Sequence, residues 1–321
     1  MRLLMFRESA GRRLGVLHAD GESVVDLAAV ASAAGAAPPP PDLLALIEAG
    51  DEGMSRLADL LGLPGASAGP AVRPLAAVEL LAPLDPPRGN VLAIGRNYAK
   101  HAAEAAAARG VGESGPPTIF TKAITTIAGP HADIPFDAGV SEQIDWEVEL
   151  GVVIGRRGSN IARERALDHV FGYTVVNDVT ARDIQSGWGG QFFKGKSLDG
   201  SCPSGPWVVT RDEVPDPQRL RLRLTVNGEV KQDASTADMI YPVDAVVSWL
   251  SVGMTLLPGA LVATGTPEGV GFARRPPEFL RPGDVVEAEV EGIGVLRNRV
   301  VASSELAEAR SSSGVRQSGP G

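Results

Sequence analysis

The stretch DWEVELGVVIG, residues 145 to 155, constrains the fold more than any other part of the chain. Read as a β-strand, its side chains alternate between two faces. Trp146, Val148, Leu150, Val152 and Ile154 make one face wholly apolar. Asp145, Glu147 and Glu149 share the other face, which turns apolar at Val153. Acids side by side on so apolar a strand need an explanation. Glu147 and Glu149 are two residues apart, so their Cα atoms are separated by about 6.7 Å and their carboxylates can converge. At about 4 Å two such charges repel by roughly 4 kcal/mol at an effective dielectric of 20. Solvent, protonation, a basic side chain or a metal ion has to offset that. Solvent would make this a half-exposed strand with one wet face. A metal gains from Asp178, a third acid placed where the apolar run of VVNDVTARD ends. Three carboxylates form a hard oxygen site suited to Mg²⁺, Mn²⁺ or Ca²⁺ rather than Zn²⁺.

Glycine (38) and proline (25) make up 63 of the 321 residues, about a fifth, against a usual ~12%. A chain that turns this often is expected to be mostly β, in short strands. The formal net charge of −9 argues against a nucleic-acid partner. Cys202 is the only cysteine, so no intrachain disulfide forms, in keeping with a reducing compartment. No apolar run approaches the roughly 20 residues of a membrane span. The opening MRLLMFRESAGRR is too briefly apolar for a secretory signal, and a cytoplasmic protein is expected.

Residues 1–82 read as a small N-terminal α+β domain. RLGVLHADGESVVDL is a hairpin turning at Asp20-Gly21. An Ala-rich helix runs up to Pro38–Pro41, and PDLLALIEAG and MSRLADLLG are short helices closed by glycine. The Pro-rich residues 83–90 read as a linker, and 91–303 as the main domain. Within it, NVLAIG is a buried strand, and NYAKHAAEAAAARG is a helix with Asn97 as N-cap and Gly110 as stop. Asn227-Gly228 and residues 283–301 mark two further hairpins. The tail from 304 to 321 is polar, low in complexity and expected to be disordered.

Five stretches occur in order: AIGRNYAKHAAE, DWEVELGVVIG, GYTVVNDVTARDIQ, GKSLDGSCPSGPWVV and ATGTPEGVG…PGDVVEAEVEGIGVLRN. In this combination the chain resembles the fumarylacetoacetate hydrolase family over about residues 88–302. The resemblance implies a mixed β-sandwich roll, mostly β with α/β elements, and a homodimer carrying Mg²⁺ or Mn²⁺. Matched motif to motif, it implies Glu147, Glu149 and Asp178 as metal ligands. It implies His101, Glu104 and Lys196 as catalytic residues, and Arg182, Gln185 and Thr266 as substrate contacts. Lys100 departs from the pattern, standing where the family often has Asp.

The residues themselves bear on these roles. His101 and Glu104 are i, i+3 on the expected helix, where a carboxylate orients an imidazole; a solvated helix face is the plainer reading. Lys196, flanked by Gly195 and Ser197, suits an ammonium aimed at a developing enolate; Lys194 is its rival. Arg182 can pair with substrate, with Glu147 or with Asp183. The TGTPEGVG loop lacks the ending of a phosphate loop, but its amides and the Thr266 hydroxyl can hold a carboxylate. Arg274 and Arg275 can meet a second substrate carboxylate. Cys202 has no paired base and reads as packing. The expected substrate is a small 2-oxo or β-diketo acid, with no nucleic acid or membrane partner. The expected reaction is metal-dependent hydrolysis of a C–C bond in an acylpyruvate by water activated at His101. Helix 97–110 and its glycines are expected to close as a lid. Decarboxylation, enol–keto isomerisation and hydration use the same groups, and a non-catalytic binding relative is the remaining alternative.

Overall fold

The computed structural model describes residues 1–8, 11–109 and 117–306. Strand Val148–Ile154 lies inside a mixed twelve-stranded sheet, antiparallel to Val170–Asn177 on one side and to Leu261–Ala263 on the other. Beyond Leu261–Ala263 come Val91–Gly95, in parallel, and then Thr118–Lys122. Beyond Val170–Asn177 come Cys202–Thr210, Arg2–Glu8, Gly11–Leu17, Ser23–Asp26 and Val72–Pro74. A five-stranded sheet, ordered Glu229–Ser235, Arg221–Val226, Val285–Val290, Gly294–Ala302 and Ile134–Phe136, packs against the large one. Leu222, Leu224, Val286, Ala288 and Leu296 share its core with Val148, Leu150, Val152, Tyr173 and Val175. The apolar face read from the sequence is thus the inner face of a β-sandwich.

The opposite face is buried too. Every residue of Val148–Ile154 is buried, and Asp145, Glu147 and Glu149 are at most 4% exposed. The wet-face explanation of the acids therefore fails. Val153 belongs to a second core, with Leu3, Val25, Leu46, Val176 and Val208. That core and the large sheet both draw on residues from either side of the Pro-rich 83–90 stretch. Arg2–Glu8 pairs with Cys202–Thr210, Arg2 opposite Val209 and Leu3 opposite Val208. Helices Leu43–Glu48 and Gly50–Leu61 place Leu43, Leu46 and Leu57 against the same residues.

The hairpins form where the turns demanded them. Asn227 and Gly228 have φ 52° and 81°, the left-handed pair that a two-residue turn between right-twisted strands requires. Helix Leu27–Ala34 ends at Gly35, ahead of the prolines, and the Asp26 side chain caps its start. Asn97 is not an N-cap. Its amide donates to Tyr241 O (2.9 Å) and Thr264 O (2.7 Å), and its Oδ1 accepts the Tyr241 N–H (2.7 Å). The side chain instead ties the approach to helix Ala99–Arg109 to two distant loops. The helix stop at Gly110 and the hinge glycines Gly112 and Gly115 lie outside the described residues. So does most of the tail expected to be disordered, while residues 303–306 are helical. Among the described residues no helix is long and apolar enough to cross a membrane.

Candidate active site

Glu147 and Glu149 come from the central strand and its approach, and Asp178 from the end of Val170–Asn177. Two hydrogen bonds lock these segments together: Asp178 N–H donates to Glu147 O (2.9 Å), and Glu147 N–H to the side-chain oxygen Asn177 Oδ1 (3.0 Å). One oxygen from each of the three carboxylates lies within 4.8 Å of the others, all buried.

Cations surround the trio. Lys196 Nζ donates to Glu147 Oε2 and Asp178 Oδ2, both at 2.7 Å. Arg182 lies 2.6 Å from Glu147 Oε1 and donates its Nε to Asp145 Oδ2 at 2.7 Å. Lys122, fully buried, sits 2.7 Å from Asp178 Oδ1, a contact of charge without hydrogen-bond direction, and donates to Val179 O at 3.1 Å. Four acids therefore face three bases, which leaves one negative charge over.

That charge falls at Glu149. Among the described residues its hydrogen-bond partner is a single backbone N–H, from Gly265 at 2.7 Å. Burial, with Asp178 and Glu147 alongside, pushes its carboxyl well above the usual range. Burial acts the same way on Glu147, but Lys196 and Arg182 outweigh it and hold that carboxyl at about 2. A buried, hard, oxygen-only donor set with one uncompensated carboxylate fits a divalent cation of the Mg²⁺ or Mn²⁺ kind.

His101 is buried on helix Ala99–Arg109, with Nδ1 2.9 Å from Glu104 Oε1. A carboxylate only accepts, so this bond puts a proton on Nδ1, and in the neutral imidazole Nε2 is then the ring nitrogen with a lone pair. Glu104 is fixed in turn by the Gly269 N–H, 3.2 Å from both its oxygens. One cleft is lined by His101, Glu147, Glu149, Arg182, Gln185, Lys196 and Thr266, together with Arg96, Phe120, Phe192 and Phe272. Asp178 and Glu104 join it through their contacts to Lys196 and His101. All nine residues singled out in the sequence meet at this one place.

Several finer expectations change. The Gly-rich loop does hold carboxylates, but they are the protein's own. Gly265 N–H serves Glu149, Gly269 N–H serves Glu104, and Gly271 N–H donates to Asp145 at 2.7 Å. The Thr266 hydroxyl donates to Val148 O (3.0 Å) and accepts from Gln232 Nε2 (2.8 Å), so its proton is committed to the scaffold and one lone pair remains at the cleft. Arg182 pairs with Asp145 and Glu147; Asp183 accepts from Ser141 Oγ at 2.6 Å instead. Gln185 accepts from Arg182 at 3.2 Å. Lys194, the rival of Lys196, is exposed, and Lys100 pairs with Glu268 at 3.2 Å. Arg274 donates to Lys231 O, and neither it nor Arg275 lines the cleft. Cys202 is fully buried, and burial pushes its thiol up to about 12, as befits packing.

The sequence reading missed Lys122, Asp145, Gln232 and Arg96. Asp145 was visible on the same strand face as the other acids, and its role as the anchor of Arg182 was the part not read. Lys122 ends an apolar strand, a weak signal. Gln232 and Arg96 gave none.

Comparison with known proteins agrees with this geometry. The family model described as fumarylacetoacetate (FAA) hydrolase C-terminal matches residues 90–301. An oxaloacetate tautomerase, YisK, of Bacillus subtilis (strain 168) is 44% identical over 246 residues, covering 76% of this chain and 80% of its own length. A mitochondrial oxaloacetate tautomerase of Bos taurus is 40% identical over 306 residues, covering 94% of this chain and 92% of its own. Among solved structures, maleylpyruvate hydrolase from Sphingobium sp. SYK-6, in complex with manganese(II) and pyruvate, superposes with TM-score 0.71 at 31% identity. It covers 94% of this chain and 99% of its own. Fold, matched span and buried acid trio together place this chain in the fumarylacetoacetate hydrolase family.

Proposed function

We propose that this protein is a divalent-metal-dependent enzyme that interconverts the enol and keto forms of a small 2-oxo acid. The observation that carries the reading is the His101–Glu104 pair opening on the same cleft as Glu147 and Glu149. Tautomerisation needs one proton removed and one returned, with no bond between heavy atoms broken. His101 Nε2 takes the proton from the carbon next to the 2-oxo group, and the C–H electron pair moves into the new C=C bond. Negative charge gathers on the 2-oxo oxygen, where the Lys196 ammonium stabilises it, and the His101 imidazolium returns its proton to that oxygen, which regenerates the base. Glu104 holds the imidazole in one tautomer and stabilises its charged form. A bound Mg²⁺ or Mn²⁺ supplies Lewis-acid polarisation of the 2-oxo group. The two tautomerases, at 44% and 40% identity, support the reading.

Hydrolysis of a C–C bond in an acylpyruvate is the second reading, supported by the likeness to maleylpyruvate hydrolase. It stood first on the residues alone, and the stronger likeness to tautomerases now puts isomerisation ahead. A small acid as partner, a homodimer as the assembly and a cytoplasmic setting belong to the same proposal.

The test follows the enol absorbance of freshly dissolved oxaloacetate, with Mn²⁺ and with EDTA, while acylpyruvates are assayed for cleavage by mass. Metal-dependent loss of enol without cleavage supports tautomerisation, and cleavage products shift the assignment to hydrolysis. His101→Ala is expected to lower turnover by about 100-fold or more with Mn²⁺ binding by calorimetry unchanged. Full activity in that variant removes His101 as the base.

A further inference from the structure

Among the described residues three cationic ones line the cleft, and two are committed to the protein's own acids. Arg182 is held by Asp145 and Glu147, and Lys196 by Glu147 and Asp178. Arg96 is the third. Among the described residues nothing pairs with its guanidinium or hydrogen-bonds to it.

Its backbone is unusual as well. Arg96 has φ 58°, and the other two non-glycine residues with positive φ, Asn160 and Asn227, are exposed asparagines. Asparagine tolerates this region and arginine does not favour it. The neighbours enforce it: Gly95 ends a buried strand, and Asn97 is fully buried and bonded to Tyr241 and Thr264. An unfavourable conformation held in place at a cleft is a pointer to function.

We propose that Arg96 binds a second carboxylate of the substrate and so selects dicarboxylic 2-oxo acids, an inference that rests on the reading of this cleft as a 2-oxo acid site. Charge supports it. With a divalent ion bound, four acids and three bases leave one positive charge beneath the cleft, enough for one substrate carboxylate, so a dianion needs a further positive partner that the scaffold has not already neutralised. A planar guanidinium accepts a carboxylate in bidentate fashion.

The test uses a matched, unreactive pair. Malate and lactate share a 2-hydroxy acid head and differ only by malate's distal carboxylate. Their dissociation constants are measured by calorimetry on the Mn²⁺-loaded protein. The wild type is expected to bind malate at least 10-fold tighter than lactate. Arg96→Gly removes the guanidinium and suits φ 58° without strain. It is expected to weaken malate 10- to 100-fold and to leave lactate within twofold. Arg96→Asn, which also tolerates this φ, must give the same result. No malate preference in the wild type, a preference that survives in the variants, or parallel loss of both ligands overturns the proposal. An Arg96-dependent malate preference in a protein that turns over no enol upholds the inference and sinks the proposed reaction.

Discussion

Glu147 and Glu149 stand two residues apart on one buried strand face, yet they need different things. Glu147 is matched by Lys196 and Arg182, and Glu149 by no cation. Glu149→Gln should therefore leave the metal-free protein as stable as wild type or slightly more so, while Mn²⁺ affinity by calorimetry falls at least ~100-fold with the loss of a ligand. Glu147→Gln leaves the buried Lys196 and Arg182 with one carboxylate each, Asp178 and Asp145, and should cost about 3 kcal/mol in urea unfolding. Equal stability of the two variants would contradict this charge balance. Cys202 gives a pH signature. Its thiol rises from 9.0 to about 12 on burial, so its contribution is full below about pH 9 and is lost as pH climbs toward 12. The slope is at most about 1.4 kcal/mol per pH unit. Cys202→Ala should lose stability less steeply than wild type between about pH 9 and 11, and identical slopes would count against the buried thiol. At this scale the acids were legible because charge on an apolar strand demands a reason. Lys122 was not, since its partner Asp178 lies strands away in sequence and nothing local marks the pairing.

Elements position these side chains, and the loop after Leu261–Ala263 carries much of that work. Gly265 has φ 101°, and a Cβ there would lie 2.6 Å from the Asn97 Cβ. Gly265→Ala meets both penalties and displaces the N–H that Glu149 accepts. We expect a loss of about 2–4 kcal/mol together with weakened Mn²⁺ binding, read by thermal unfolding with and without the ion. Unchanged stability would mean that the loop adapts. The sequence identified this loop by its glycines but not its ligands, because Gly265 meets Glu149 across 116 residues. Local patterns did reveal the turn at Asn227-Gly228 and the strand Val148–Ile154, whose determinants lie within a few residues. Asn97 shows the converse: a residue suited to cap a helix was claimed by Tyr241 and Thr264, partners no local pattern could name.

Across the whole molecule, the large sheet joins residues 1–82 to the strands that carry the acids. Without those residues Cys202–Thr210 would lose its partner at Val208 and Val209 and keep, on that edge, only the short pairing of Cys202 and Pro203 with Ile127 and Ala128, and Val153, Val176 and Val208 would lose their cover. A chain beginning at residue 83 should therefore be recovered mainly as aggregate, measured as soluble yield and elution volume. A monodisperse fragment that binds Mn²⁺ would show instead that the N-terminal strands are dispensable. The composition break at 83–90 was plain in the sequence. The pairing that crosses it was not, since Arg2 and Val209 share no local signal. That pairing also governs the order of events during synthesis. Arg2–Glu8 leaves the ribosome about two hundred residues ahead of the strand it must meet, a wait of roughly 10–40 s at about 5–20 residues per second. Throughout that interval Leu3 is paired along one edge only, by its hairpin partner Gly11–Leu17, while Glu79–Leu81 can already pair with Met5, Phe6 and Arg7 on the other. The rate of translation through the middle of the message, and chaperone capture of the waiting strand, are therefore expected to influence how much of this protein a cell recovers.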